Sequence, residues 1–156
     1  MQNMQFHIFQ TPFRARRLLK PLLLAVTLLF CYSLYALDEN EIYCYIKKIG
    51  IKHPEIVLKQ AIYESGHFTS KIFKNKNNLF GFRHTMTYMS FDNWQASVDY
   101  YKVWQDKYYK NDTEDYYKFL QRKNYSGYKE FNYSAQLKRI KIRASLNCFE
   151  DDDEEE

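Results

Sequence analysis

A basic segment followed by a long apolar run distinguishes the amino-terminal part of this chain from the folded domain expected after it. Residues 14–20 (RARRLLK) are basic, residues 22–34 (LLLAVTLLFCYSL) are almost wholly apolar, and the small Ala36 precedes a polar stretch. This order of segments is typical of a signal peptide. We therefore expect residues 1–36 to be a signal peptide or an N-terminal membrane anchor, which leaves residues 37–149 for one folded domain.

Three fates are open for this segment. The apolar run over residues 22–37 is 16 residues long, shorter than the roughly 20 residues that cross a bilayer as a helix, which favours cleavage after Ala36. The alternatives are a retained anchor with its basic flank inside and a lipoprotein attached at Cys31, although Phe30 stands where a small residue is usual. Each fate exports residues 37–149 to the periplasm, cell envelope or medium, with membrane contact only through residues 1–36.

The charges are sorted along the chain. The formal net charge is +4, but residues 37–149 hold 19 basic and 12 acidic groups, whereas residues 150–156 are all acidic. We expect this acidic tail to be disordered because it has no apolar surface to bury. The lysines of the body are scattered and accompany no recognised motif, which argues against nucleic acid as a partner. Anionic wall polymers and peptide carboxylates suit the positive charge better.

Cys44 and Cys148 are the two cysteines that remain if residues 1–36 are removed. In an oxidising compartment they are a disulfide candidate, with a stabilisation of about 4–5 kcal/mol for a loop of roughly 100 residues. Two buried thiols are the alternative, and the sequence leaves both open. Neither the cysteines nor the four histidines have the spacing of a metal site, so we expect no metal and no cofactor.

The body follows a helical pattern with short connections. Apolar residues recur three and four positions apart, and residues 77–89 contain one possible hairpin. The predicted starts of helices or helical turns are Asn40, Pro54, Ser70, Asp92, Thr113 and Asn132. The last of these helices is expected to bury Leu137, Ile140 and Ala144. The predicted fold class is mainly α, an α+β domain of five to six helices with one very short β-hairpin, and we expect a monomer.

Glu64 is the acidic residue with the strongest case for catalysis. It falls at the end of the second predicted helix, just before Gly66, where unpaired carbonyl groups disfavour a carboxylate and raise its pKa. Phe68 and Phe80 are expected to exclude water and raise that pKa further. A glutamate that stays protonated near neutral pH can serve as a general acid.

Three ordered blocks of sequence carry a resemblance to a known family. The first is Ala61, Glu64-Ser65-Gly66, Ser70, Asn77-Asn78 and Phe80-Gly81; the second is Ser90-Phe91, Trp94, Ser97-Val98 and Tyr100; the third is Asn124-Tyr125, Tyr133, Leu137 and Ile140. Together they resemble the glucosaminidase domain of glycoside hydrolase family 73. The resemblance covers about residues 42–143, nearly the whole body.

The resemblance implies a lysozyme-like, largely helical fold that hydrolyses the β-1,4 bond after N-acetylglucosamine in peptidoglycan. Glu64 matches the family's general acid. The other matched residues are Asn78, Phe80 and Gly81 on the cleft floor, Tyr125 opposite the acid, and Tyr133 next in the motif. Beyond these matches, Tyr88 is expected in a sugar subsite because aromatic faces stack on pyranose rings, whereas Trp94 and Trp104 lie on a helical stripe and are expected in the core.

The hairpin departs from the family pattern. Many members carry a second acid after the Phe-Gly pair, but residues 82–91 (FRHTMTYMSF) contain no Asp or Glu, and glycoside hydrolysis usually uses two carboxylates. We favour assistance by the acetamido group of the substrate, with Tyr125 bonded to that group or to the attacking water. The alternatives are that Asp92 or Asp99 reaches in, or that the domain is a slow enzyme or a catalytically degenerate peptidoglycan-binding module.

Overall fold

The structure, a computed structural model, describes residues 37–127 and 132–148. These residues form six helices and one antiparallel hairpin of two strands. In chain order the elements are α1 (Glu39–Lys48), α2 (Pro54–Glu64), α3 (Lys71–Lys76), β1 (Arg83–His84), β2 (Thr87–Tyr88), α4 (Trp94–Tyr108), α5 (Tyr116–Arg122) and α6 (Tyr133–Arg139). The predicted fold class, mainly α with one very short hairpin, is confirmed.

Two predicted segments lie outside the described residues: the signal peptide or anchor (residues 1–36) and the acidic tail (residues 150–156). Both stay predictions. None of the described helices combines the length and the apolar character that a membrane span requires.

Three helices begin as predicted and three do not. Helices α2, α3 and α6 begin at Pro54, after Ser70 and after Asn132. Helices α1, α4 and α5 are capped by Asp38, Asn93 and Asp115 rather than by Asn40, Asp92 and Thr113. A side chain caps a helix when its oxygen reaches an amide two or three positions on, and the side chain of Asn40 is bonded to the backbone of Asn147 instead.

Helix α2 is the centre of the domain. Pro54 occupies its first turn, where the missing N–H costs nothing. The buried residues that follow are Val57, Leu58, Gln60, Ala61 and Ile62. Helices α1 and α6 pack against α2, and α5 packs against α6. Because α1 and α6 both pack against α2, core packing fixes the position of its last residue, Glu64.

The segment after α6 turns back along α1. The sequence predicts that Ala144 is buried on α6, but this is wrong because the helix ends at Arg139. The amides of Arg143 and Ala144 donate to the carboxylate of Glu39 at the start of α1 instead of to a preceding helical turn. Further on, the amide of Asn147 donates to the side chain of Asn40.

A disulfide fixes this returning segment. Cys44 of α1 and Cys148 are bonded, with their Cα atoms 5.3 Å apart and a sequence separation of 104. Of the two alternatives that the sequence left open, the structure contains the disulfide. A loop of this length corresponds to a stabilisation of about 4–5 kcal/mol in the chain-entropy account.

Two asparagines hold the two ends of the hairpin. The side chain of Asn78 accepts from the amide of Phe82 at 3.0 Å and donates to the carbonyl groups of Phe82 and Met89 at 2.9 and 3.0 Å. The side chain of Asn77 donates to the carbonyl groups of Phe91 and Asp92, each at 3.0 Å. These bonds connect the chain before β1 to the chain after β2, so they fix where the hairpin stands.

Candidate active site

Glu64 is the last residue of α2 and is partly buried. Burial raises the pKa of its carboxyl above the ordinary value, and a hydrogen bond from Tyr133 acts in the opposite direction. The upward direction agrees with the prediction from the sequence. Burial disfavours the charged form of a carboxyl, so this site favours a protonated glutamate.

Tyr133 fixes the orientation of this carboxyl. Its side chain is 1% exposed, and its hydroxyl donates to Oε1 of Glu64 at 2.7 Å. The same hydroxyl oxygen accepts from Nε2 of Gln60 at 3.3 Å. Because Oε1 of Glu64 accepts the bond from Tyr133, the proton of a neutral Glu64 resides on Oε2.

A chain of buried hydrogen bonds continues from Gln60 into the core. The hydroxyl of Tyr101 donates to Oε1 of Gln60 at 2.5 Å, the hydroxyls of Tyr101 and Tyr116 are 2.8 Å apart, and Nε2 of Gln105 donates to Tyr116 at 2.8 Å. Since the proton of Tyr101 points at Gln60, Tyr116 is the donor to Tyr101. All these donors therefore point towards Glu64, an alignment in which successive bonds polarise one another.

Gly81 lies against the other carboxyl oxygen. A Cβ atom at this position would stand 3.3 Å from Oε2 of Glu64. The φ angle of Gly81 is +67°, in the left-handed region that glycine adopts without penalty. Gly81 thus provides both the turn and the space that Oε2 needs.

Glu64 lines a cavity of about 770 Å³, within the range of small-molecule sites. The walls come from α2, α3, the loop before β1, the hairpin, α4 and the segment after α5. Besides Glu64, the lining residues are Ile72, Phe80, Gly81, Phe82, Arg83, Tyr88, Trp104, Tyr108, Lys123, Asn124, Tyr125, Ser126 and Gly127. Five of the residues predicted for the site, Glu64, Phe80, Gly81, Tyr88 and Tyr125, therefore line one cavity.

Tyr125 and Phe80 are joined at this cavity. The hydroxyl of Tyr125 donates to the carbonyl oxygen of Phe80 at 3.2 Å, while the Phe80 ring is buried 4.4 Å from the ring of Tyr101. The ring of Tyr125 also lies nearly parallel to that of Tyr133, with centroids 5.7 Å apart. Phe80 anchors the cavity wall, and its backbone carbonyl positions Tyr125.

Asn78 and Tyr133 are predicted for substrate binding, yet neither is among the described residues that line the cavity. Each side chain is 1% exposed. Asn78 holds the base of the hairpin, and Tyr133 binds the carboxyl of Glu64. The structure therefore gives both residues a supporting position behind the cavity wall.

Glu64 is the one carboxylate among the described residues that line the cavity. Asp99, a candidate second acid, accepts from the hydroxyl of Tyr45 at 2.9 Å, and neither it nor Asp92 lines the cavity. Within the described ranges, no three His, Cys, Asp or Glu side chains lie close enough together to hold a metal ion.

Sequence reasoning missed the residues behind Glu64 and the cations in the cavity wall. Gln60 had a usable signal, since it is a polar residue among the apolar residues of α2. Gln105 had no such signal because α4 has many polar positions. Trp104, expected in the core, packs against it and also lines the cavity.

The comparisons with known proteins agree with this site. The family model described as mannosyl-glycoprotein endo-beta-N-acetylglucosaminidase, the glucosaminidase domain, matches residues 40–146. No curated protein and no solved structure matches the chain. The matched region contains Glu64 and every other lining residue of its cavity, and it supports a glycosidase that acts on peptidoglycan. The chain therefore belongs to the glucosaminidase family.

Proposed function

We propose that this protein is an exported endo-β-N-acetylglucosaminidase that hydrolyses the β-1,4 bond after N-acetylglucosamine in peptidoglycan, with Glu64 as general acid. The observation that carries the proposal is the environment of the Glu64 carboxyl. Its carboxyl lines the cavity, burial raises its pKa, and Tyr133 holds one of its oxygens at 2.7 Å.

The first step uses the proton on Oε2 of Glu64. Transfer of this proton to the glycosidic oxygen accompanies cleavage of the bond between that oxygen and the anomeric carbon. The resulting carboxylate keeps the hydrogen bond from Tyr133, which stabilises the charge that forms. The lack of a Cβ atom at Gly81 leaves room for Oε2 to reach the substrate.

The nucleophile is the acetamido group of the substrate. Its carbonyl oxygen attacks the anomeric carbon as the leaving group departs, and water later opens the cyclic intermediate while the Glu64 carboxylate takes a proton from that water. Use of the substrate's own group is a known exception to the two-carboxylate rule, and the absence of a second carboxylate among the described lining residues supports it here.

Tyr125 orients this acetamido group. Its proton is directed to the carbonyl oxygen of Phe80, so the lone pairs of its hydroxyl oxygen are suited to accept the acetamido N–H. By accepting this N–H, Tyr125 raises the electron density on the amide nitrogen, and amide resonance makes the carbonyl oxygen a stronger nucleophile. Two displacements at one carbon return the β configuration, so the reaction retains the anomeric configuration.

Export is supported by the disulfide. The bond between Cys44 and Cys148 belongs in an oxidising compartment, because thiols in the cytosol are kept reduced. The order of basic, apolar and small residues within residues 1–36 supports the same location.

Mass spectrometry of peptidoglycan fragments tests the proposal. Digestion with the purified full chain should give fragments whose new reducing end is N-acetylglucosamine, and NMR of the first products should show the β anomer. Reducing-end N-acetylmuramic acid would contradict the cleavage site. The α anomer would contradict acetamido assistance.

A catalytically degenerate peptidoglycan-binding module is the second candidate. One observation favours it, the single carboxylate among the described lining residues. A wild-type protein that sediments with peptidoglycan but releases no fragments, at concentrations where another glucosaminidase does, would establish this candidate and exclude the first.

A further inference from the structure

Two cations line the cavity of Glu64, and neither is paired with a carboxylate in the described part of the chain. They are Arg83 of β1 and Lys123 after α5. The ion pairs recorded for the described residues use Lys52, Lys102 and Arg122. With Glu64 protonated, as its role requires, the described lining residues carry two positive charges and no negative charge.

Arg83 is held against Tyr88 on the neighbouring strand. The two residues are paired in the hairpin, the guanidinium carbon lies 4.0 Å from the centre of the Tyr88 ring, and Nη2 donates to the Tyr88 hydroxyl. An arginine on an aromatic face keeps its plane fixed. This bond uses one of the five N–H donors of the guanidinium.

Lys123 is held in the same manner by another lining residue. Its Nζ atom lies 3.9 Å from the centre of the Tyr108 ring, at a distance typical of a cation–π contact. Tyr108 itself lines the cavity. Both cations therefore rest on tyrosine rings in the cavity wall, which reduces the side-chain freedom that binding would remove.

An uncharged sugar polymer has no group that matches two cations. N-acetylglucosamine offers hydroxyl and acetamido groups, whereas charge-assisted hydrogen bonds to a carboxylate are roughly twice as strong as neutral ones. In peptidoglycan every second sugar carries a lactyl ether, and its carboxyl group is either free or extended by a peptide with carboxylates of its own. The cations therefore fit these substituents.

We propose that Arg83 and Lys123 form a carboxylate-binding subsite, which makes the protein select glycan strands with carboxylate-bearing substituents over uncharged strands. The proposal rests on the proposed glucosaminidase function and deepens it by naming the substrate class. Tyr88, predicted for a sugar subsite, belongs to this subsite as the support of Arg83.

Kinetics of the full chain on three substrates test the proposal. Intact peptidoglycan carries peptide carboxylates, the same glycan after enzymatic removal of its peptides carries only lactyl carboxylates, and chitohexaose carries none. The variants are Arg83→Gln and Lys123→Gln. One matched control is Lys107→Gln, whose ammonium lies 5.2 Å from the same Tyr108 ring without lining the cavity; the other is Arg139→Gln at the end of α6.

Each cleft variant should lower kcat/KM on intact peptidoglycan by about tenfold, mainly through KM, as expected for a lost hydrogen bond between charged groups. On chitohexaose the change should stay below about twofold. A loss confined to intact peptidoglycan assigns the subsite to peptide carboxylates, and a loss on both anionic substrates shows that it accepts either a peptide carboxylate or a free lactyl carboxylate. Equal losses on all three substrates, or equal losses in the controls, would overturn the proposal.

A binding measurement separates this proposal from the proposed function. If the wild type cleaves none of the substrates, the function fails, and co-sedimentation with insoluble peptidoglycan and with insoluble chitin still tests the subsite. Substituting Arg83 or Lys123 should weaken binding to peptidoglycan, most at low salt, and leave binding to chitin unchanged. Equal binding of variants and wild type to peptidoglycan would refute the subsite.

Discussion

The hydroxyl of Tyr133 donates a hydrogen bond of 2.7 Å to Oε1 of Glu64 and joins the start of α6 to the end of α2 across 69 residues. This bond opposes the effect of burial on the pKa of Glu64. The carboxyl is thus kept in one orientation, and it remains a stronger acid than burial alone would make it. A general acid needs both properties, since geometry and pKa together decide proton transfer.

Replacing Tyr133 by phenylalanine should raise the pKa of Glu64 further, because the variant lacks a donor that stabilises the charged form. The alkaline limb of the kcat/KM profile should move to higher pH, and kcat should fall about tenfold from the lost orientation. Besides Tyr133, the titratable groups that feel the charge of Glu64 are Tyr63 and Tyr125. The control is Tyr63→Phe, which leaves the hydrogen bond from Tyr133 to Glu64 intact. If Tyr133→Phe had the same pH profile as the wild type, Tyr133 would have no role in setting the pKa of Glu64.

The variant Gln60→Met interrupts the hydrogen-bond chain behind Tyr133. It removes one of the two hydrogen-bond partners of each of the buried hydroxyls of Tyr101 and Tyr133, so the free energy of unfolding should fall by about 1–3 kcal/mol. The pH profile should also shift, which a purely structural role would not cause. Denaturant titration measures the loss of stability, and kinetics as a function of pH measure the shift of the profile. The control is Gln136→Met, because Gln136 is a partly exposed glutamine of α6. An unshifted profile would limit Gln60 to a structural role.

The variant Gly81→Ala places a Cβ atom 3.3 Å from Oε2 of Glu64. We expect a loss of activity on the order of a hundredfold, as for small misplacements of catalytic groups. The positive φ angle adds a folding cost of about 1–2 kcal/mol. The variant Gly50→Ala is the control, since Gly50 also has a positive φ of +69° but does not contact Glu64. Similar activity losses in both variants would show that backbone strain, and not the carboxyl, is responsible.

Neutralising Glu64 should stabilise the domain at neutral pH. Its pKa is higher in the folded chain than the ordinary 4.5, so the folded state binds the proton more tightly and loses stability as the pH rises above that value. The variant Glu64→Gln does not titrate. Its free energy of unfolding should exceed that of the wild type at pH 7, and the difference should vanish below pH 4.5. A difference that does not change with pH would contradict the raised pKa.

The sequence was sufficient for the helices and for the position of Glu64 at the end of α2, because both depend on local patterns. The apolar spacing, Pro54 and the order of the motif residues act over a few positions, and they located α2 and Glu64 correctly. Helix ends were less predictable, because α6 stops where Glu39, about 100 residues earlier in the chain, takes the amides of Arg143 and Ala144.

Contacts between distant segments could not be predicted in the same way. Nothing local in the sequence indicates that Tyr133 bonds Glu64, or that Gln60 connects it to Tyr101. The contact between Arg83 and Tyr88 also depends on the register of the hairpin, which places the two residues opposite each other. A motif thus identifies residues, while the fold decides whether each one lines the cavity or supports it.

Release of reducing ends from purified peptidoglycan tests the central claim most directly, with the full chain compared as wild type, Glu64→Gln and Glu55→Gln. Glu55 is an exposed glutamate in the first turn of the same helix. Loss of the general acid should lower the rate by at least about a hundredfold in Glu64→Gln, while Glu55→Gln should stay close to the wild type. Full activity in Glu64→Gln would contradict the assignment of Glu64 as the general acid.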